Sequence, residues 1–326
     1  MPRIALIGLG TIGLSMAALH LDREDTSVAV FDPRPDLNEY IRRRLPQLLS
    51  SSQGGPVDTL VDTLFSNSRL SIHDTLSSAV SSAEVIQEQG PENEAFKQRT
   101  WREIETLALP SAQFWSSTSG IAASIQNVQM TDPSRLLVVH PFNPPHIMPL
   151  IEIVPGPTTK QACVDFAVAY FSKHGHHRPV VVRKEIPGFV GNRLAFALFR
   201  EACSLVNEGV VHARDLDTIV MASLGPRWAT QGVFESYHAG GGEGGLASFL
   251  DKLGGTMQQV WDGLGTVNVK PQNVDAQDDG VQDDGVVRWK EKVVDQVNEA
   301  YGPFTADKAK KKETLLKQVL DVQKDI

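Results

Sequence analysis

At 326 residues, the chain's net charge of −8 argues against binding a phosphate backbone, which demands a positive face, so nucleic acid is not an expected partner. An apolar share of 41% and a charged share of 21% are ordinary for a water-soluble globular protein, and no apolar run approaches the ~18 residues of a membrane span. Cys163 and Cys203 are too few for a disulfide framework, the first strand begins at Arg3 with no room for a leader, and Gln323–Ile326 carries no retention signal. A cytoplasmic home is expected.

Ile4 to Ile7 reads as a short buried strand that runs into Gly8-Leu9-Gly10-Thr11-Ile12-Gly13 and then the helix-compatible Leu14 to His20. In such a strand, glycine turn and helix, the first glycine permits the tight turn, the second admits a pyrophosphate, and the third lets helix and strand pack. Gly8, Gly10, Thr11, Ile12 and Gly13 are therefore candidate cofactor contacts at a helix N-terminus. A second strand, Val28 to Phe31, ends in Asp32, about 20 residues on, where an acid accepts from the adenosine ribose and repels a 2′-phosphate. The pattern points to NAD. Arg34 keeps NADP open, and an unliganded strand-to-helix turn is the plain alternative.

Leu37–Leu49 and Asp58–Phe65 each form an amphipathic helical face around the loop 50–56, and are expected to make an arm that protrudes from the sheet. Arg42-Arg43-Arg44 within it reads as a solvated face. A strand at Glu84–Glu88 leads to Glu92 and a helix carrying Lys97, with its end facing the crevice of a doubly wound sheet. Phe114 to Gly120 repeats the design, an apolar entry followed by hydroxyls at a helix start, where Ser119 is either a site residue or an N-cap.

The strand Leu136 to Val139 delivers His140 to the same edge, and Pro141-Phe142-Asn143-Pro144-Pro145 through Pro149 stiffens the connection to Glu152. An imidazole beside a carboxylate makes a base that titrates near neutral pH with an acid to orient it. A buried structural histidine is the alternative. His174, His176 and His177 surround Gly175 without cysteine or further acid, so no metal is expected.

His140 to Glu152, together with Lys184-Glu185-Ile186-Pro187-Gly188-Phe189-Val190-Gly191-Asn192-Arg193-Leu194, resembles the 3-hydroxyacyl-CoA dehydrogenase superfamily over nearly the whole chain. Val206 to Val211, Asp215-Leu216-Asp217 and Leu224 to Ala229 are similar to its L-gulonate 3-dehydrogenase and lambda-crystallin branch. The resemblance implies a Rossmann-type doubly wound α/β domain over 1–184, an all-α substrate and dimerisation domain over 185–326, a homodimer, and a cleft at the seam. It places the base on His140, its acid on Glu152, substrate-binding side chains on Ser119 and Asn192, and further NAD contacts on Asp32, Glu92 and Lys97. Two departures bear on pocket shape: Gly120 follows Ser119, and Gly191 precedes Asn192. The near-repeat 277–286 reads as a solvated acidic loop.

The implied reaction is NAD-dependent oxidation of the C3 hydroxyl of a small 3-hydroxy acid, in that branch L-gulonate to 3-dehydro-L-gulonate. Arg227 is the candidate partner for the substrate carboxylate, with a surface arginine packed on Trp228 as the alternative. Oxidation of a 3-hydroxyacyl thioester and a crystallin-like protein that only binds NAD are the competing readings. A serine hydrolase built from Ser119, His140 and Glu152 lacks the G-x-S-x-G elbow.

Overall fold

The computed structural model describes residues 2–49, 57–173, 177–269 and 284–323. The chain divides into two compact units, Met1–Arg193 and Leu194–Ile326.

In the first unit the elements run β1 Arg3–Ile7, α1 Thr11–Leu21, β2 Ser27–Phe31, α2 Leu37–Arg44, α3 Val57–Ser66, β3 Leu70–Ile72, α4 Leu76–Val80, β4 Val85–Glu88, α5 Glu94–Leu107, β5 Gln113–Ser116 and α6 Ala123–Gln126. They continue with β6 Leu136–Pro141, β7 Leu150–Pro155, α7 Gln161–Ser172, β8 Arg178–Val181 and the start of α8 Gly191–Glu208. The strands form one mixed eight-stranded sheet in the order β3-β2-β1-β4-β5-β6-β7-β8, Rossmann-like, with β7 antiparallel to β6 and parallel to β8.

Alternate residues of the same strands feed two cores, as the twofold repeat of a strand requires. Ile4, Leu6, Val28, Val30, Leu137 and Val139 point to one face and Ala5, Ile7, Ile86, Phe114, Leu136 and Val138 to the other. The arm expected to protrude does not: Leu37, Ile41, Leu45, Val61 and Leu64 are buried in the first of these cores. Their apolar faces had no other surface on which to close, and burial of each such side chain contributes about 1.5–3 kcal/mol. Arg42, Arg43 and Arg44 stay outside, with Arg42 paired to Asp62 and Arg43 3.8 Å from Glu39. The loop 50–56 lies outside the described residues, as do His174 and His176 and residues 277–283 of the near-repeat.

The first core also holds a histidine. His20, on α1, is fully buried, with Nδ1 2.7 Å from the Tyr170 hydroxyl and Nε2 2.8 Å from Gln87 Oε1. Burial dominates and lowers its pKa from 6.5 to about 4, against the Gln87 hydrogen bond that raises it. The unfolded chain therefore takes up this proton near pH 6.5, whereas the folded protein does so only near pH 4. Stability is full above the upper value and falls as pH drops between the two, by about 1.4 kcal/mol per unit and roughly 3 kcal/mol in all. Urea titrations at pH 7 and pH 5 should show this loss in the parent and a smaller one in His20→Gln; equal losses in both would remove His20 as its source.

The second unit is helical: the remainder of α8, then α9 Ala213–Ala222, α10 Leu224–Thr230, α11 Val233–Gly240, α12 Gly245–Asp262, α13 Asp284–Tyr301 and α14 Ala306–Val322. Gly209 closes α8 at φ +75°, a left-handed cap that glycine adopts freely. The Tyr301 hydroxyl donates to Asp217 at 2.6 Å, tying α13 to α9. Among the described residues no helix is long and apolar enough to cross a membrane.

Candidate active site

The carboxyl ends of the parallel strands share one edge of the sheet, and the order in which strands are added reverses between β1 and β4, where doubly wound sheets open a crevice. Gly8 follows β1 at φ +92°, its backbone pressed against Gln89 and Gly90 beyond β4. A Cβ at Gly13 would strike the Gly8 carbonyl, so only glycine lets α1 start this close to β1. Gly10, by contrast, faces open space, which leaves the helix N-terminus at Thr11 and Ile12 approachable by a charged group.

Asp32, just past β2, accepts from Leu9 N–H at 2.6 Å and from Arg34 N–H at 2.9 Å, so it braces the glycine turn as well as lining the crevice. Arg34 itself pairs with Asp36 at 2.8 Å. Gly8, Gly10, Phe31, Asp32, Gln89 and Phe96 are among the walls of a cavity of about 610 Å³. Its volume, its open glycine and its terminal acid fit a dinucleotide.

Two residues that the resemblance assigns to NAD do not line this cavity. Lys97 is 1% exposed and its ammonium donates to both Glu88 oxygens, at 2.8 and 3.1 Å. Burying that charge requires a partner, and Glu88 supplies it while also accepting from Gly90 N–H at 2.6 Å. Lys97 thus supports the turn after β4 through Glu88. Glu92 accepts from Thr118 Oγ1 and Ser119 N–H, both at 2.6 Å, and from Ser119 Oγ at 3.1 Å, so it shapes the loop after β5. Glu88 escaped the sequence reading, although an acid closing an apolar strand nine positions before a lysine was a visible signal.

His140 and Glu152 are brought together by sheet register. They lie directly opposite each other on antiparallel β6 and β7, which places both side chains on one face. His140 Nδ1 is 2.7 Å from Glu152 Oε2, and the two residues are 5% and 2% exposed. The other oxygen, Oε1, accepts from Val190 N–H at 3.0 Å and Gly191 N–H at 2.9 Å. Burial pushes the Glu152 carboxyl up, but the His140 bond and these two amides outweigh it and hold the carboxyl below its ordinary value. The ionised acceptor then takes the Nδ1 proton, and His140 Nε2, without a partner among the described residues, carries the free lone pair.

The chain of contacts continues. Asn192, next to Gly191, donates Nδ2 to the Ser119 carbonyl at 3.2 Å, so four of the expected site residues are linked within the first unit. Ser119 is not an N-cap: α6 starts at Ala123 and is preceded by Ala122, while Thr118 Oγ1 accepts from Gly120 and Ile121 N–H. The departure at Gly191 has a steric counterpart, because the Phe142 ring fills the space a side chain there would need and lies tilted, 5.2 Å from the His140 ring. Arg227 is an exposed residue of α10 in the second unit. His177 is buried with Nε2 3.2 Å from the Pro145 carbonyl, and among the described residues no group of three His, Cys, Asp or Glu could hold a metal ion.

A glycine turn over a Rossmann-type crevice, in the same unit as a histidine oriented by a buried acid, defines the class: an NAD-dependent dehydrogenase acting on a hydroxyl group. Residues 3–186 match the NAD-binding domain of 3-hydroxyacyl-CoA dehydrogenases and residues 188–276 match their C-terminal domain. The chain belongs to the 3-hydroxyacyl-CoA dehydrogenase family. It is 35% identical over 280 residues to an L-carnitine dehydrogenase of Streptomyces coelicolor, covering 84% of each chain. It is 38% identical over 256 residues to a 3-hydroxyacyl-CoA dehydrogenase of Gibberella moniliformis, covering 77% of each. Among solved structures, 5-formyl-3-hydroxy-2-methylpyridine 4-carboxylic acid 5-dehydrogenase, described as an NAD⁺-dependent dismutase, aligns with TM-score 0.70 at 29% identity over 99% of this chain and 97% of that one.

Proposed function

We propose that the chain oxidises the secondary hydroxyl of a small, free 3-hydroxy acid, with His140 as the general base. The observation that carries this reading is the buried Nδ1 to Glu152 bond of 2.7 Å, which fixes the ring and leaves Nε2 without a partner among the described residues. When bound, the nicotinamide of NAD⁺ supplies the hydride acceptor. His140 takes the hydroxyl proton at Nε2, and the Glu152 carboxylate stabilises the imidazolium that forms. Asn192 positions the oxygen with the second proton of its Nδ2, and Ser119 does so by turning its hydroxyl proton from Glu92 to that oxygen. Arg227 is proposed as the partner of the substrate carboxylate, a homodimer as the working form, and the cytoplasm as its place. Exposed Leu194, Phe196 and Phe199 along α8 support association, and the free thiols Cys163 and Cys203 suit a reducing compartment.

Two free acids lead the substrate reading. L-carnitine is favoured by the name of the Streptomyces coelicolor relative, and L-gulonate by the motifs of residues 206–229. Both are 3-hydroxycarboxylates and make the same demand on His140. NADH formation should be measured with L-carnitine, L-gulonate, 3-hydroxybutyrate and 3-hydroxybutyryl-CoA. A kcat/KM at least about tenfold higher, or 1.4 kcal/mol, for a free acid than for the thioester is expected. A preference of that size for the thioester would replace this reading, and silence across the panel would favour a protein that only binds NAD.

A further inference from the structure

Gly188 and Phe189, between β8 and α8, both take a positive φ, +74° and +51°. Glycine enters this left-handed region freely, but a residue with a Cβ does so at a steric cost and stays there only where its surroundings hold it. Phe189 is held by burial. Its side chain is 0% exposed in the second core, its ring lies 5.4 Å from the His140 imidazole, and its N–H donates to the Ile186 carbonyl at 3.1 Å.

The next two residues are Val190 and Gly191, whose amides both reach Glu152 Oε1, at 3.0 and 2.9 Å. Successive N–H groups at a left-handed turn make a concave site for an anion, and here the anion is the side chain that orients the imidazole. Gly191 also leaves the notch filled by the Phe142 ring, 5.2 Å from the same imidazole. We infer that Phe189 is a positioning residue for the base, which rests on His140 having that role. Anchored in the core, Phe189 keeps the strained turn in place; the turn keeps two amides on Glu152 Oε1, and Glu152 Oε2 keeps the proton on His140 Nδ1. Val190, beside it, is 44% exposed and offers no such anchor.

The test uses three variants. Phe189→Ala removes the anchor, Phe189→Leu keeps most of the buried volume, and Gly188→Ala adds a methyl group whose nearest neighbours lie 3.6 and 3.7 Å away but at a φ that resists a Cβ. Turnover, the dissociation constant for NADH and thermal unfolding are measured for each, with nitrogen NMR of histidine-labelled protein at mildly alkaline pH. The His140 signals are those missing from His140→Gln. In the parent, Nδ1 should carry the proton and Nε2 should not. Phe189→Ala and Gly188→Ala should show signals averaged between the two tautomers, with turnover roughly ten- to a hundredfold lower, as a displaced catalytic group implies, and NADH affinity within about twofold of the parent. Phe189→Leu should keep the parental pattern; a loss as great as in Phe189→Ala would overturn anchoring by burial. Parental turnover or parental His140 signals in Phe189→Ala would overturn the inference whatever its stability, since Phe189 would then only fill space. Should that protein fail to fold, the same results in Gly188→Ala would overturn it. Full turnover in His140→Gln would instead remove the base itself, and the nitrogen signals would still decide whether Phe189 sets the ring.

Discussion

Replacing His140 with glutamine should lower turnover by about 10²–10⁴, the usual contribution of a positioned general base, while the dissociation constant for NADH stays within about twofold of the parent. The split follows from geometry. His140 sits on β6 and Glu152 opposite it on β7, whereas the dinucleotide cavity is built from the ends of β1, β2 and β4. Glutamine preserves much of the volume packed against Phe142 and Phe189, whose rings lie 5.2 and 5.4 Å from the imidazole. Turnover is to be read by NADH absorbance and binding by NADH fluorescence. Parental turnover would remove His140 from the chemistry, and parallel loss of NADH binding would make its role structural.

Two substitutions at Glu152 should separate folding from catalysis. The carboxylate holds His140 Nδ1 and the amides of Val190 and Gly191, all at a position 2% exposed. Glu152→Ala strands all three groups and should destabilise the protein by about 3–5 kcal/mol, as removal of one partner from a buried pair does. Glu152→Gln is subtler. Its carbonyl can still accept from the two amides, but its NH₂ then faces Nδ1, which must become the acceptor. The imidazole proton moves to Nε2, and the lone pair that would take the substrate proton is gone. Glu152→Gln should therefore fold with near-parental stability at neutral pH yet lose about 10²–10⁴ in turnover, because a wrong tautomer is as damaging as a missing base.

Acidification provides a second readout. The Glu152 carboxyl is held below its ordinary value of 4.5, so its contribution to folding is complete above that value and is lost as pH falls through the folded one. The parent should lose more stability than Glu152→Gln on descending below about pH 4.5. Matching acid profiles, or full activity in the glutamine variant, would contradict the tautomer argument.

The parts of this site legible in the sequence were those whose chemistry is local. The glycine turn needs no distant partner to be seen, since Gly8, Gly10 and Gly13 answer to the backbone around them. Asp32 was found by its position at the end of the next strand, and the structure adds that it also braces the turn at Leu9. His140 and Glu152 were visible as a pair, but the cause is the β6–β7 register; the prolines span the connection without setting the distance.

What could not be read depends on partners far along the chain. Phe189 was read only as part of a motif; its left-handed φ and its burial beside His140 belong to the fold. The helices over 37–66 were recognised as amphipathic, but only tertiary packing shows that their apolar faces close on the sheet. Gly191 was noticed as small for its place; that Phe142 occupies the vacated space required coordinates.

The most direct test of the central claim is a crystal structure with NAD⁺ and the preferred 3-hydroxy acid, trapped in Glu152→Gln to slow turnover. The account predicts His140 Nε2 within about 2.6–3.2 Å of the substrate's C3 hydroxyl oxygen, with that carbon facing the nicotinamide ring. A substrate hydroxyl held elsewhere, with His140 remote from it and another side chain at hydrogen-bond distance, would contradict it.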